Sequence, residues 1–502
     1  MTTGCARLLV ALMFAPLAMA ASQRTAGAAK PCNLVVSEVK SADTLVKTHT
    51  NLVKSASGQY VTYYGGGIDA VCAGTDQRIL ADSAEYSGDD RRLFLIGHVH
   101  YKESRVKLDA DRMTYWTSDE RLLAEGNVIG VTKTGTHFTG PNADYLRPAA
   151  GIRTRSMLTA DGRPNTWLSA QDVGADTAVA NSGKDSTNIV ADRIISDNDS
   201  LIYAKGSVVI DRPDIGATAD SAFLDNGREF SRLTGTPKII GRGERHYTLA
   251  GAVIDLQSKQ RQVERVKSAG KAIATSDDVT LTADTIDLRV SKQKLQRAYA
   301  FGPGQALAHS SERDITADSI DVMLPDQTLR EMRAVRRARA ESSPDTAKIV
   351  TTEKDWLAGN SIVALFDPPA KSDTVNQPAI KTIVATGAAR SFYQASPGGL
   401  KTKTSKPNIN YVTGSVITVD FKDRQVESVS VKDKAAGFYL EATPDSSSLA
   451  TSSDSTGTKP KVTTPDATAV KPTIVKPDST AATKPKKPVL PRAVSLTKGT
   501  KP

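Results

Sequence analysis

The sequence predicts an all-β protein assembled from one repeated strand unit. Three observations carry the prediction: a recurring Ala-Asp element, a glycine that follows most copies, and alternation of apolar and polar residues without a sustained helical stripe.

The first element is a β-favouring residue, then Ala-Asp, then an apolar residue two places on. It stands as Leu80-Ala81-Asp82-Ser83-Ala84, Asp109-Ala110-Asp111-Arg112-Met113, Val190-Ala191-Asp192-Arg193-Ile194, Thr218-Ala219-Asp220-Ser221-Ala222, Thr282-Ala283-Asp284-Thr285-Ile286 and Thr316-Ala317-Asp318-Ser319-Ile320. Weaker copies are Asn142-Ala143-Asp144-Tyr145-Leu146, Gly251-Ala252-Val253-Ile254 and Ala358-Gly359-Asn360-Ser361-Ile362. The second element is a glycine with an apolar residue four places before it, as in Leu93 with Gly97, Leu122 with Gly126, Ile202 with Gly206, Val266 with Gly270, Ala298 with Gly302 and Ile383 with Gly387. Pro237, Arg336 and Asp433 take the glycine position in three further units. Positions 206, 237, 270, 302 and 336 lie 31, 33, 32 and 34 residues apart, which gives a unit of about 32.

Each unit reads as two strands joined by polar turns. Ser319-Ile320-Asp321-Val322-Met323-Leu324 alternates polar and apolar residues, the period of a half-buried strand. Ser87-Gly88-Asp89-Asp90, Thr117-Ser118-Asp119-Glu120 and Asp225-Asn226-Gly227 supply turn chemistry. The alternation slips at each Asp: Leu281 and Ala283 share one phase, Ile286 and Leu288 the other. Such a slip turns side chains to the opposite face unless the strand bends there. Ala-Asp is therefore expected to mark a corner, with the later Gly permitting close approach of a neighbouring chain. A repeated functional Asp is the competing idea, and the lack of a fixed His or Glu partner argues against it.

The first twenty residues read as an export signal. Arg7 precedes an apolar run over 8–17, and Ala18-Met19-Ala20 places cleavage before Ala21. The run falls short of the roughly 20 residues of a spanning helix; an uncleaved anchor is the alternative. Cys5 would leave with the signal, and Cys32 and Cys72 are expected to pair in an oxidising compartment. Closing that loop is worth about 3–4 kcal/mol if chain entropy dominates. Lipid attachment at Cys32 is not expected after Ala29-Lys30-Pro31.

Residues 443–502 collapse to Thr, Ser, Ala, Pro, Lys and Asp, a composition expected to stay disordered. Nine Lys and one Arg against four Asp give this tail +6 of the chain's +10. The body is thus close to neutral, and the basic balance does not indicate nucleic-acid binding. The expected organisation is a signal over 1–20, an N-terminal segment over 21–75, a β-repeat domain over 76–245, a divergent second one over 246–442, and the tail.

Two side-chain clusters suggest other chemistry. His98-Val99-His100 has a spacing that suits zinc, but the nearest further imidazole is the remote His137, so paired or exposed histidines are the plainer expectation. Arg333, Arg336, Arg337 and Arg339 form a basic cluster in which Arg333, Arg337 and Arg339 share a strand face. They are candidates for phosphate on an anionic lipid head group, against a merely solvated face. No nucleophile elbow, Walker loop or zinc-protease helix motif is present, so neither catalysis nor a cofactor is expected.

The Ala-Asp strand, its polar turn, and Ala124-Glu125-Gly126-Asn127-Val128, with Ala204-Lys205-Gly206-Ser207-Val208 as a second copy, resemble the OstA-like family of lipopolysaccharide-transport proteins. That family includes LptA-type periplasmic bridges and the N-terminal domain of LptD-type outer-membrane translocons. The likeness is clearest over 79–146 and weaker over 247–437. It implies an elongated, twisted β-jellyroll with an apolar groove for acyl chains, in the periplasm. Implied partners are lipopolysaccharide, an inner-membrane transport complex, an outer-membrane translocon and further copies in head-to-tail association. A translocon would continue into long membrane-spanning strands, so the bridge role is the one expected. Groove candidates on the repeated apolar positions are Val106, Leu108, Met113, Tyr115, Leu122, Val128, Ile194, Ile202, Val208, Phe223 and Leu233, with ordinary core as the alternative for each. A structural β-repeat envelope protein with a wall-associated tail is the rival function.

Overall fold

The computed structural model describes residues 32–38, 49–54, 56 and 58–442, less 169–186, 369–377, 398–402 and the short stretches 243–245, 261, 277–278, 312 and 423–424. The expected export signal and tail lie outside the described residues. The chain is all-β: among the described residues there are 28 strands and one three-residue 3-10 turn, Pro325–Gln327. Successive strands pair antiparallel in one continuous sheet.

Polar turns make the hairpins and the repeated motif bends each strand. Arg92–Lys102, Val106–Trp116, Arg121–Thr132 and Thr136–Leu146 follow one another through short loops. Within Val106–Trp116, Val106, Leu108 and Ala110 are buried before Asp111, and Met113 and Tyr115 after it. The phase slip is thus a bend, and both halves of the strand belong to one core. In cross-section the protein is two facing arms joined at a corner. The strand ends line a mouth opposite that corner.

The corner explains the motif residue by residue. Gly97 and His98, both left-handed with φ of 79° and 41°, stand opposite the single residue Asp111. A Cβ at Gly97 would lie 2.3 Å from Asp82 Oδ2, so only glycine fits. The Asp then clasps the residue after the glycine. His98 Nδ1 lies 2.8 Å from Asp82 Oδ2, Asn127 Nδ2 donates to Asp111 Oδ2 at 2.8 Å, and Arg337 Nε donates to Asp318 Oδ1 at 2.7 Å. At other corners the partner differs, Arg163 for Asp192 and the Gly304 amide for Asp284, so the sequence displays no fixed partner for the Asp. One corner is wider. The strand Lys294–His309 sets residues 302–305 opposite Asp318 alone, whereas the corners at Gly97, Gly206, Gly270 and Gly387 set two residues against one.

Burial of the inward positions dominates the energetics, at about 1.5–3 kcal/mol for each large apolar side chain. The buried residues gather in two clusters, one from Ile68 to Ala160 and one from Ile189 to Ile417. Sheet pairing continues past the expected domain boundary, with Lys238–Gly241 paired to Tyr247–Ala250. Outside, Arg121–Asp144, Arg232–Asp255, Arg265–Asp287 and Arg297–Asp321 form two-point pairs between neighbouring strands. The exposed ones among them contribute at most about 1 kcal/mol each, whereas Asp287 is itself buried. Cys32 and Cys72 form the expected disulfide, which ties Leu34–Glu38 to Tyr60–Cys72.

Candidate functional site

The apolar interior between the arms comprises the two core clusters, and the groove candidates divide on it. Val106, Leu108, Met113, Tyr115, Leu122, Val128, Ile194, Ile202, Val208 and Leu233 all point inward and are at most 5 % exposed, close-packed as core. Phe223 does not join them. Inward positions follow the Asp by two and four residues, so Ala222 and Leu224 are buried, while Phe223 faces outward against Tyr203 at a centroid distance of 5.1 Å. Arg112 and Lys205 face solvent.

In the first half the mouth is closed by buried polar groups. Gln77 and Glu103 stand at the strand ends of one arm, and Tyr115, Glu120, Tyr145 and Arg147 at those of the other. Glu103, Glu120 and Arg147 are 5, 2 and 7 % exposed, so their charges are compensated by one another rather than by water. Arg147 Nε donates to Glu103 Oε2 at 2.6 Å across the mouth, and Arg147 NH1 donates to Glu120 Oε2 at 3.4 Å. The Tyr145 hydroxyl donates to Glu103, and Tyr115 donates to Glu120 Oε2 at 2.7 Å. Gln77, with its amide oxygen turned to the guanidinium, accepts from Arg147 Nε at 3.0 Å and donates to Tyr115 Oη at 3.0 Å. The Cys32 amide donates to Glu120 Oε1 at 2.7 Å, which brings the disulfide into the same cluster. Burial, and then the neighbouring carboxylate, pushes both phenols well above the ordinary tyrosine range, so they remain donors. Burial opposes the Arg147 charge, yet hydrogen bonding to Glu103 holds its pKa above the ordinary value. Further along, Arg105 NH1 donates to Asn198 Oδ1 at 3.4 Å, extending the closure.

In the second half part of the mouth is lined mainly by apolar side chains, whereas nearer the first half the Val263 amide donates across it to Asp214 Oδ2 at 3.3 Å. A cleft of about 100 Å³ lies between Tyr247, Val279 and Leu281 on one arm and Leu288, Leu295, Val322, Leu324, Leu329 and Met332 on the other. It sits over the strand with the widened corner. Two extra residues at the hinge and an apolar mouth therefore occur together. The 3-10 turn Pro325–Gln327 forms part of its lip. Burial, then nearby Asp214, pushes the Tyr247 hydroxyl up to about 12.

The remaining candidates lie elsewhere. Arg333, Arg337 and Arg339 are on the outer face and paired with Glu331, Asp318 and Glu341, with Arg339 also 4.5 Å over the Trp356 ring. Arg336 and Arg337 occupy the corner, the edge opposite the mouth, so the head-group candidates do not border the cleft. His98 and His100 are held by Asp82 and Asp109 at 2.8 and 2.6 Å, and His137 is on another strand. Among the described residues no group of three or more metal-type ligands occurs, and no helix is long and apolar enough to cross a membrane. A scan against protein-family models finds no match, and a search of curated proteins finds none either.

Proposed function

We propose that this chain is a non-catalytic periplasmic carrier that shields the acyl chains of lipopolysaccharide between two membranes, as the resemblance to the OstA-like family suggests. The observation that carries the reading is the cleft between Leu281 and Leu295, an apolar opening into the interior of a repeated β-structure. Its volume of about 100 Å³ is small, well under the roughly 300–1,000 Å³ of a typical ligand pocket. A lipid tail would therefore enter by parting the arms, which the widened corner at residues 302–305 permits. Head-to-tail association of copies, and hand-over from an inner-membrane complex to an outer-membrane translocon, belong to the same proposal. Exposed Leu52 and Val53 at one end of the sheet, and Phe438, Tyr439 and Leu440 at the other, suit such stacking.

The test is a photo-crosslinking amino acid at Leu295 or Leu329, with outward Lys205 and Phe223 as controls, in cells making lipopolysaccharide. Labelling of lipopolysaccharide from the cleft positions and not from the controls is expected. Equal labelling on both faces, or none with the protein folded and abundant, would remove the carrier reading. The second reading, a stiff structural β-repeat of the envelope, rests on the filled core between Ile68 and Ala160, and it would stand in that event.

A further inference from the structure

The bridge from Glu103 through Arg147 to Glu120 joins strand ends that are also connected in other ways. The corner already joins the two arms, and the hairpins already fix the strands. We infer that this bridge is a charge-balanced latch: the mouth of the first half stays shut while its three buried charges compensate one another and opens when one is left unpaired, which confines lipid to the second half. The inference rests on the carrier reading for the lipid, while the latch itself is a statement about the arms alone.

The geometry is that of a latch because every bond in it crosses the mouth or braces one that does. Arg147 belongs to the arm of Glu120 but reaches Glu103 on the opposite arm at 2.6 Å. Tyr145 crosses to the same carboxylate, Gln77 crosses to Tyr115 and Arg147, and the Cys32 amide crosses to Glu120. Beneath this layer lie Leu108 and Met113, the apolar interior that an acyl chain would otherwise reach. In the second half the same level is occupied by Leu295, Leu324 and Leu329, which present no such bar. Removing Arg147 alone would strand two buried carboxylates, and the arms would have to part to hydrate them. Neutralising all three groups together leaves no unpaired charge to hydrate, with the Tyr115 and Tyr145 hydroxyls still beside the new amides, and the arms should stay shut.

The experiment uses the mature protein with its disulfide intact and spin labels at exposed Lys102 and Asp119, one on each arm tip. A single narrow distance is expected for the native latch and for the triple variant Glu103→Gln, Glu120→Gln, Arg147→Met. Arg147→Met alone should give a broad, longer distribution. Glu103→Gln, which keeps a hydrogen bond, should lie between them and serves if Arg147→Met does not fold. In parallel, photo-crosslinkers at Leu108 and Leu295 are challenged with purified lipopolysaccharide. Leu295 should label in every variant, and Leu108 only when Arg147 is replaced alone. Unchanged distances in Arg147→Met and Glu103→Gln, equal opening in the triple variant, or labelling at Leu108 in the native protein would overturn the latch. Silence at Leu295 throughout would instead sink the carrier reading, with the distance measurement still deciding the latch.

Discussion

The two halves of the molecule share a corner and differ at the mouth. Near Gly97, two residues oppose one Asp, the arms lie close, and the strand ends meet through Glu103, Arg147 and Glu120. Near Gly302, four residues oppose one, and the strand ends leave an apolar cleft. Strict corners occur in both halves, at Gly97 as at Gly206, Gly270 and Gly387, and the widened one at residues 302–305 lies under the apolar cleft. A repeat can be tuned at its hinge while its strand pairing and core remain unchanged.

The largest effect that would break this comparison is expected at the mouth. Arg147→Met leaves buried Glu103 and Glu120 without their cation and should cost about 3–5 kcal/mol. Arg232→Met, which removes an exposed pair with Asp255, should cost under about 1 kcal/mol. Urea unfolding followed by Trp116 fluorescence, the tryptophan nearest the first mouth, reads the first. Equal costs would show that the buried cluster does not hold the arms. Reduction of Cys32–Cys72 comes next. It should lower stability by about 3–4 kcal/mol on the chain-entropy account, with the loss confined to the first core cluster. Hydrogen exchange across both clusters checks this: matching loss of protection in residues 189–417 would mean that the two unfold as one unit.

The corner offers an effect of opposite sign in the two halves. Gly97→Ala adds a Cβ at a left-handed residue against Asp82, and should destabilise by about 1–2 kcal/mol or more. Arg336 holds the same corner with φ of 63° and pays for it in backbone strain, so Arg336→Gly should stabilise by up to about 1 kcal/mol. Thermal midpoints of the two variants suffice. A fall in both would mean that Arg336 makes a contact worth more than its strain.

How far the sequence disclosed this architecture follows from the range of each interaction. Val106, Leu108 and Ala110, then Met113 and Tyr115, announced their bend through local alternation, because burial on a strand is a two-residue signal. Phe223 was misplaced because its phase is set by Asp220, three residues away, and Ala222 is too small to stand out as the inward residue. The latch gave no signal. Glu103 and Glu120 sit in polar turns like any other, and Arg147 meets them across 44 and 27 residues. The cleft was equally hidden, since Leu288 and Leu295 occupy the same apolar positions as core residues. The run Gly302-Pro303-Gly304-Gln305, longer than its counterparts, was the one trace that the hinge had changed.

The smallest expected effect is a pH dependence that separates the two halves. In the first, buried carboxylates face a guanidinium. In the second half, Asp355 at the start of the strand Asp355–Asp367 is buried with Gln394 as its donor, whose amide lies at 2.9 Å, and burial pushes its carboxyl up to about 6. The folded state therefore holds a proton that the unfolded chain, near the ordinary carboxylate value of about 3.9, has released. Stability from this group is fully present below about pH 4 and is lost as the pH rises to about 6. Above that, the penalty is on the order of 1 kcal/mol once solvent screening is allowed for, against about 3 kcal/mol without it. Asp355→Asn keeps an acceptor for Gln394 and removes the charge, so it should stabilise the protein by about 1 kcal/mol at pH 7 and by nothing at pH 4. Urea midpoints for both proteins at the two pH values isolate this group from every other carboxylate, because the others titrate alike in the pair. A gain that is the same at both pH values would show that Asp355 titrates alike in the folded and unfolded chains, hydrated like a surface residue, and that this end of the second half is wetter than its packing implies.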